Sequence, residues 1–109
     1  MYGSLPPASV YATWVENIEL WSVDDSTLAD LSDVEEITVT LRDPSSMFDE
    51  LTLKMSEGTV TIPSQGIIQW RAEVSSMRTL SRQLYDVLIT LENDTDTVAL
   101  YLGNISILE

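Results

Sequence analysis

Cysteine and histidine are both absent from this 109-residue chain, and only five basic residues stand against eighteen acidic ones. Without cysteine there is neither a disulfide framework nor a thiolate metal site. Without histidine a serine nucleophile lacks its usual base, which closes the common triad route to acyl transfer. Lysine is equally scarce. A Ser-Lys pair would need Lys54, the single lysine, and that residue falls on the expected solvent face of a strand, where a base cannot be desolvated. No apolar run, Val98 to Leu102 included, approaches the roughly 20 residues of a membrane helix. Met1 to Val15 has no positive lead and no uninterrupted hydrophobic stretch, so a secretory signal is not expected and a cytoplasm is the default compartment.

The net charge of -13 repels phosphate backbones and anionic headgroups, so nucleic acid and membrane are not expected partners. It also keeps identical copies apart, so assembly requires a basic region, an apolar patch or a geometry that confines the repulsion. A hydrophobic content of 44% is ordinary for a folded domain, and the length suits one core. Residues 1–10, with Gly3, Pro6 and Pro7, read as a partly ordered N-terminal arm, and residues 11–109 as a single domain.

From Trp14 onward the chain alternates in the two-residue period of half-buried strands. Trp14, Ile18 and Leu20 share one face of a first segment. Ile37, Val39 and Leu41 alternate with Thr38, Thr40 and Arg42 over Glu36 to Arg42, ended by Asp43-Pro44. Leu51, Leu53 and Met55 form a further strand, expected to fold back through Ser56-Glu57-Gly58 onto Val60 and Ile62 as a hairpin. After a turn at Pro63 to Gly66, Ile68, Trp70, Ala72 and Val74 share a face. Tyr85, Val87, Ile89 and Leu91 do the same, and Val98 to Leu108 closes the series with Gly103 as a bulge. The helix-compatible stretch Ser75 to Gln83 allows one short helical turn near 76–82. About seven to eight short strands separated by turn residues predict an all-β, antiparallel, Ig-like β-sandwich. A small barrel is the competitor.

Candidate chemistry is sparse. Neighbouring carboxylates such as Asp24-Asp25 and Asp49-Glu50 point to opposite faces of a strand and make poor acid/base pairs. The Asn93 to Asp96 turn and the Asp24, Asp25, Asp30 and Asp33 group offer oxygen ligands for weak Ca²⁺ binding, yet neither has the spacing of a dedicated loop. No catalytic residue, cofactor site or metal site is therefore assigned. Trp70 alternates with aliphatics and reads as core, whereas Trp14 and Trp21 are candidates for sugar stacking or protein anchoring. Arg71, Arg78 and Arg82 lie within twelve positions of one another, a local basic region suited to head-to-tail contact between acidic copies. With Trp21 they are the expected interface residues.

The order of features resembles small tailed-phage and prophage structural β-sandwich proteins, and is similar to the N-terminal domains of phage baseplate upper proteins. The residues that carry the likeness are Asp24-Asp25, Leu28-Ala-Asp-Leu31, Ile37-Thr-Val-Thr-Leu-Arg-Asp-Pro44, Gly58-Thr-Val-Thr-Ile62, Met77-Arg-Thr-Leu80, Leu84-Tyr-Asp-Val87 and Tyr101-Leu-Gly-Asn-Ile105. It spans about residues 11–109 and departs at Gln83-Leu84, where a turn glycine is expected. The resemblance implies a non-enzymatic virion protein of the tail, baseplate or head-to-tail region, made in the host cytoplasm. Its partners would be other phage structural proteins and further copies of itself. Edge strands or the N-terminal arm would supply the contacts. A carbohydrate-binding module with an exposed tryptophan is the alternative.

Overall fold

The computed structural model describes residues 7–20 and 31–108. Among the described residues, eight strands form two sheets. The strands are β1 (Ala8–Ser9), β2 (Trp14–Glu19), β3 (Glu36–Arg42), β4 (Asp49–Lys54), β5 (Val60–Ser64), β6 (Ile67–Ala72), β7 (Leu84–Glu92) and β8 (Thr97–Leu108). One sheet has the order β1-β8-β7-β3-β4 and the other β2-β6-β5. All neighbours are antiparallel except β1, which runs parallel to β8 with Ala8 opposite Ile107. The expected all-β sandwich is the fold observed.

Period-2 alternation builds the core directly. Ile37, Val39 and Leu41 of β3, Tyr85, Val87 and Ile89 of β7, and Ile105 and Ile107 of β8 face Trp14 and Ile18 of β2 and Ile68, Trp70 and Ala72 of β6, all buried. Burying this much apolar surface is the main stabilising term, at about 1.5–3 kcal/mol for each large side chain. Trp14 and Trp70 meet edge to face at 5.7 Å between centroids, the arrangement that the ring quadrupole favours. Gly103 has φ 129°, and the register of β7 with β8 shifts opposite it, between Val87 and Leu88. The extra residue is Leu102, which is buried. The expected bulge is therefore present, and it brings one more apolar side chain into the core.

Three local expectations are corrected. β4 and β5 do not form a hairpin: β4 pairs with β3 and β5 with β6, so the two lie in different sheets. The cause is visible at Lys54 and Thr59. The Thr59 hydroxyl accepts from the Lys54 N–H (3.1 Å) and donates to the Lys54 carbonyl (3.0 Å), occupying both backbone groups that a ladder would use. A 3-10 turn at Met55–Glu57, closed by Gly58 at φ 82°, then swings the chain to the other sheet. Second, the helical turn is α1 (Val74–Met77), earlier than the expected 76–82, with Val74 drawn from the strand into the helix and Glu73 at its N-cap. Weaker i to i+3 turns carry on to Leu80. Third, the last residues of the expected arm belong to the sheet, through β1 and the bond from Val10 N–H to the Leu108 carbonyl (2.8 Å).

Candidate docking surface

Strand register fixes which loops share an end of the sandwich. Arg42 closes β3 opposite Asp86 near the start of β7, Leu84 at the start of β7 lies opposite Ser106 near the end of β8, and Trp14 at the start of β2 lies opposite Ala72 at the end of β6. The connections 10–13, 43–48 and 73–83 therefore emerge at one end. Hydrogen bonds tie them into a row. The Gln83 side chain donates to the Asp43 carboxylate, the Gln83 carbonyl accepts from Ile107 N–H (2.9 Å), and the Leu108 carbonyl accepts from Val10 N–H. Arg78 follows, its guanidinium carbon 5.6 Å from the centre of the Tyr11 ring.

Apolar side chains concentrate on this row. Among the described residues the large hydrophobics most open to solvent are Tyr11, Val15, Met47, Phe48, Leu84, Val98, Tyr101 and Leu108. Tyr11, Met47, Phe48, Leu84 and Leu108 sit at this end, and Val15 lies one residue in from it. Phe48 is the most prominent at 70% exposed. Its turn is held from several directions: Met47 N–H donates to the Asp43 carbonyl (2.7 Å), Asp43 N–H to the Phe48 carbonyl (2.9 Å), and Phe48 N–H to the Ser46 hydroxyl (3.4 Å). Arg42 and Asp49 pair across its base at 3.2 Å. Met47 adopts φ 63°, alone among the described non-glycine residues in positive φ, a conformation that costs an L-residue roughly 1–2 kcal/mol. Clusters of exposed apolar groups on small domains mark contact surfaces.

Carboxylates lie at both ends. Arg42, Arg78 and Arg82 lie toward the apolar end among Asp43, Asp49, Glu50, Glu73 and Asp86, with Asp49 paired to Arg42, while Arg71 pairs with Glu73 and donates its backbone N–H to Thr59, which is bonded to Lys54. The opposite end carries Glu19 at the end of β2, Asp33, Glu35 and Glu36 at the entry to β3, Glu57 of the 3-10 turn, Glu92 at the end of β7 and Asp94 and Asp96 of the β7–β8 turn, against the single cation Lys54. Two carboxyls are held below their ordinary range by donors. For Glu36 the donors are first the Ser56 hydroxyl, then backbone N–H groups of Ser56 and Ile37, with Lys54 adding a smaller attraction. For Asp43 they are first the Ser45 N–H and hydroxyl, then Gln83 and the Ser46 N–H.

The expected interface residues divide accordingly. Arg71 is on the outer face of the smaller sheet, its Nε donating to Glu73 at 2.8 Å. Arg78 and Arg82 are exposed in the connection from α1 to β7. The three arginines thus do not form one patch of side chains on a single element, because β6 ends at Ala72 and the chain turns through α1 before Arg78. Trp21 lies outside the described residues. Trp14 is buried at 5% exposure against Trp70, so it provides no stacking platform for a sugar. The two indole N–H groups are buried without acceptors. Sequence reading missed Phe48, Met47 and Tyr11. The available signal was an apolar Met-Phe pair inside the otherwise polar stretch Asp43 to Glu50.

Nothing in this geometry forms a catalytic constellation among the described residues. Several of their carboxylates, hydroxyls and amides are engaged in local turns. Asn93 Oδ1, for example, accepts from Thr95 N–H, the Thr95 hydroxyl and Asp96 N–H, which engages the ligand atom of the expected cation turn. No group of three or more acidic side chains among the described residues is arranged to hold a metal. A cavity of about 290 Å³ opens near the acidic end, and the described residues that line it, Leu31, Ser32, Ile62 and Gln65, carry no titratable side chain.

No protein-family model matches the chain, and no curated protein does. Among solved structures, the endo-β-1,4-mannanase from Thermotoga petrophila is similar over the whole chain, with a TM-score of 0.59 and 9% sequence identity. The chain spans 18% of the mannanase's length. At that identity the likeness is one of fold.

Proposed function

We propose that this protein is a non-catalytic docking module that engages other proteins through the apolar end of its sandwich. The observation that carries the reading is the row Phe48, Met47, Leu84, Leu108 and Tyr11, solvent-facing on a chain whose remaining exterior is strongly acidic. Anchors of this kind, preorganised by their own turns, supply most of the energy in protein contacts, while the surrounding polar groups exclude water and set orientation. The setting we propose is a tailed-phage or prophage virion, in the tail, baseplate or head-to-tail region. That setting rests on the sequence resemblance alone. The chain would be made in the host cytoplasm and incorporated with other structural proteins.

A direct test is incorporation of Phe48→Asp into purified particles of the phage or prophage that encodes the chain. The variant is expected to fold with unchanged far-ultraviolet circular dichroism, because Phe48 contributes little to the core, and to be depleted from particles. Incorporation at the level of the unaltered chain would refute docking through this end.

A further inference from the structure

Tyr101 is an exposed aromatic that belongs to neither end of the sandwich. It stands on the outer face of the larger sheet, opposite Leu88 of β7 in the ladder, while its neighbour Leu102 turns into the core at the bulge. The Tyr101 hydroxyl donates to Asp86 Oδ1 at 3.3 Å. Asp86 is rooted on the adjacent strand, two residues along from Leu88. A ring standing straight off the sheet would carry its hydroxyl well above any carboxylate, so this bond requires the ring to lie across the sheet, one face toward the backbone and the other toward water. At 43% exposure that second face is open. A row of polar groups runs beside it. Ladder register places Asn104 of β8, Asp86 of β7 and Arg42 of β3 side by side, and Arg42 Nε holds Asp49 of β4 at 3.2 Å. An amide, a carboxylate and a guanidinium are thus presented in line by three adjacent strands, about 4.8 Å apart. Asp86 keeps acceptor positions, and Arg42 donors, beyond these two bonds.

We infer that this face binds a neutral hexose unit of an oligo- or polysaccharide, with Tyr101 as the stacking platform and Asp86, Asn104 and Arg42 as the groups that read its hydroxyls. A pyranose has the matching chemistry. Its C–H groups make one apolar face that packs on an aromatic ring, and its rim of hydroxyls donates and accepts. Asp86 accepts, Arg42 donates and the Asn104 amide does both, and hydrogen bonds to charged groups are the stronger ones. The bond to Asp86 fixes the ring before the sugar arrives, which lowers the ordering cost of binding. The net charge of -13 disfavours uronic, sialylated and sulfated chains and nucleotides. The rest of the Tyr101 row, Leu88, Thr40 and Thr52, is uncharged and carries no second aromatic, so the site reads one sugar unit. A single hexose offers about a dozen non-hydrogen atoms, and its affinity is on the order of millimolar. This site is separate from the apolar end and does not depend on protein docking there.

The test is titration of the full, isotope-labelled chain with neutral cello-, manno- and β-galacto-oligosaccharides, followed by amide and side-chain nuclear magnetic resonance shifts up to tens of millimolar ligand. At least one of the three is expected to give saturable shifts that cluster on Asp86, Leu88, Tyr101, Asn104 and Arg42. Tyr101→Ala and Asp86→Ala are each expected to weaken binding by at least about tenfold, with unaltered circular dichroism because both side chains lie outside the core. Tyr101→Phe keeps the platform and loses only its tether, and is expected to bind within a few fold of the unaltered chain; a purely structural role for the Tyr101 hydroxyl would make Tyr101→Phe as weak as Tyr101→Ala and would overturn the platform assignment. Absence of saturable shifts with all three sugars, shifts that map to another surface, or binding unaffected by Tyr101→Ala would overturn the inference. None of these results bears on incorporation of Phe48→Asp into particles, so failure here and failure of the docking reading are read separately.

Discussion

Tyr85 links the core to the apolar end, and deleting its hydroxyl tests that link. The ring is fully buried, and its hydroxyl accepts from the Ser81 N–H at 3.0 Å, tying the connection that carries Arg78 and Arg82 onto the sandwich. Tyr85→Phe preserves the ring volume and opens no cavity, so the loss is that of one hydrogen bond, about 1 kcal/mol. The cost does not exceed this because Ser81 is exposed and water can satisfy its freed N–H. For a domain of this size the melting temperature should fall by about 4–8 °C, and the urea midpoint should move without a change in slope. Ile89→Ala provides the contrast: Ile89 is fully buried on the same face of β7 as Tyr85, and its truncation leaves a cavity worth about 2–5 kcal/mol. Native-state proteolysis supplies the local readout. Trypsin should cut after Arg78 or Arg82 much faster in Tyr85→Phe than the global loss explains, because the tether opens locally. A Tyr85→Phe chain with unaltered midpoint and unaltered cleavage would refute the reasoning, and a loss as large as that of Ile89→Ala would show that the ring itself had repacked.

Two further outcomes follow from the turns. Met47→Gly should raise stability by about 0.5–1 kcal/mol, the left-handed cost to an L-residue less the extra chain entropy of glycine, read as a higher urea midpoint; a lower midpoint would mean that the Met47 side chain makes stabilising contacts. Glu36 and Asp43 have carboxyls lowered from ordinary values of 4.5 and 3.8. Their contribution to stability is therefore complete above those values and is lost as pH falls through the lowered ones. The stability difference between the unaltered chain and Glu36→Gln with Asp43→Asn should be constant at neutral pH and shrink below about pH 4. Relief of overall repulsion near the isoelectric point is nearly common to both proteins and so largely cancels; a difference that grows on acidification would contradict the hydrogen-bond assignments.

Alternation made the layers legible. Glu36 to Arg42 is a strand with the bounds its pattern gives, Trp70 is core, and Gly103 marks the bulge. Pairing was less accessible, since a period of two assigns each side chain to a face without saying which strand lies alongside. β4 and β5 look like a hairpin because Ser56-Glu57-Gly58 is a good turn, yet the Thr59 hydroxyl takes the backbone groups of Lys54 and sends β5 to the other sheet. Trp14 shares its face with Ile18, which already argued for burial, so its candidacy for stacking gave too much weight to residue type. Gln83 adopts no positive φ, so this corner forms without the glycine that the resemblance leads one to expect. The apolar end was the least visible feature. Phe48, Leu84 and Tyr11 are far apart in sequence, and only the topology of both sheets brings their connections to one end.

The edges of the sheets bear on how such a domain meets its partners. Main-chain addition to an edge strand requires a regular, unprotected ladder. Here β1 is a two-residue strip along β8, and β5 contains Pro63 at a register shift against β6. β2 turns Glu16 toward the row of Trp14 and Ile18, and β4 begins with Asp49-Glu50 and ends with Lys54. Short strands, proline, an inward charge and charged flanks are the devices by which sheets resist lateral pairing. With the edges protected, lateral growth is penalised by unfavourable strand geometry, an obstacle that contact at the apolar end does not meet. Under the proposed docking function, protected edges of this kind leave the apolar end as the surface for association.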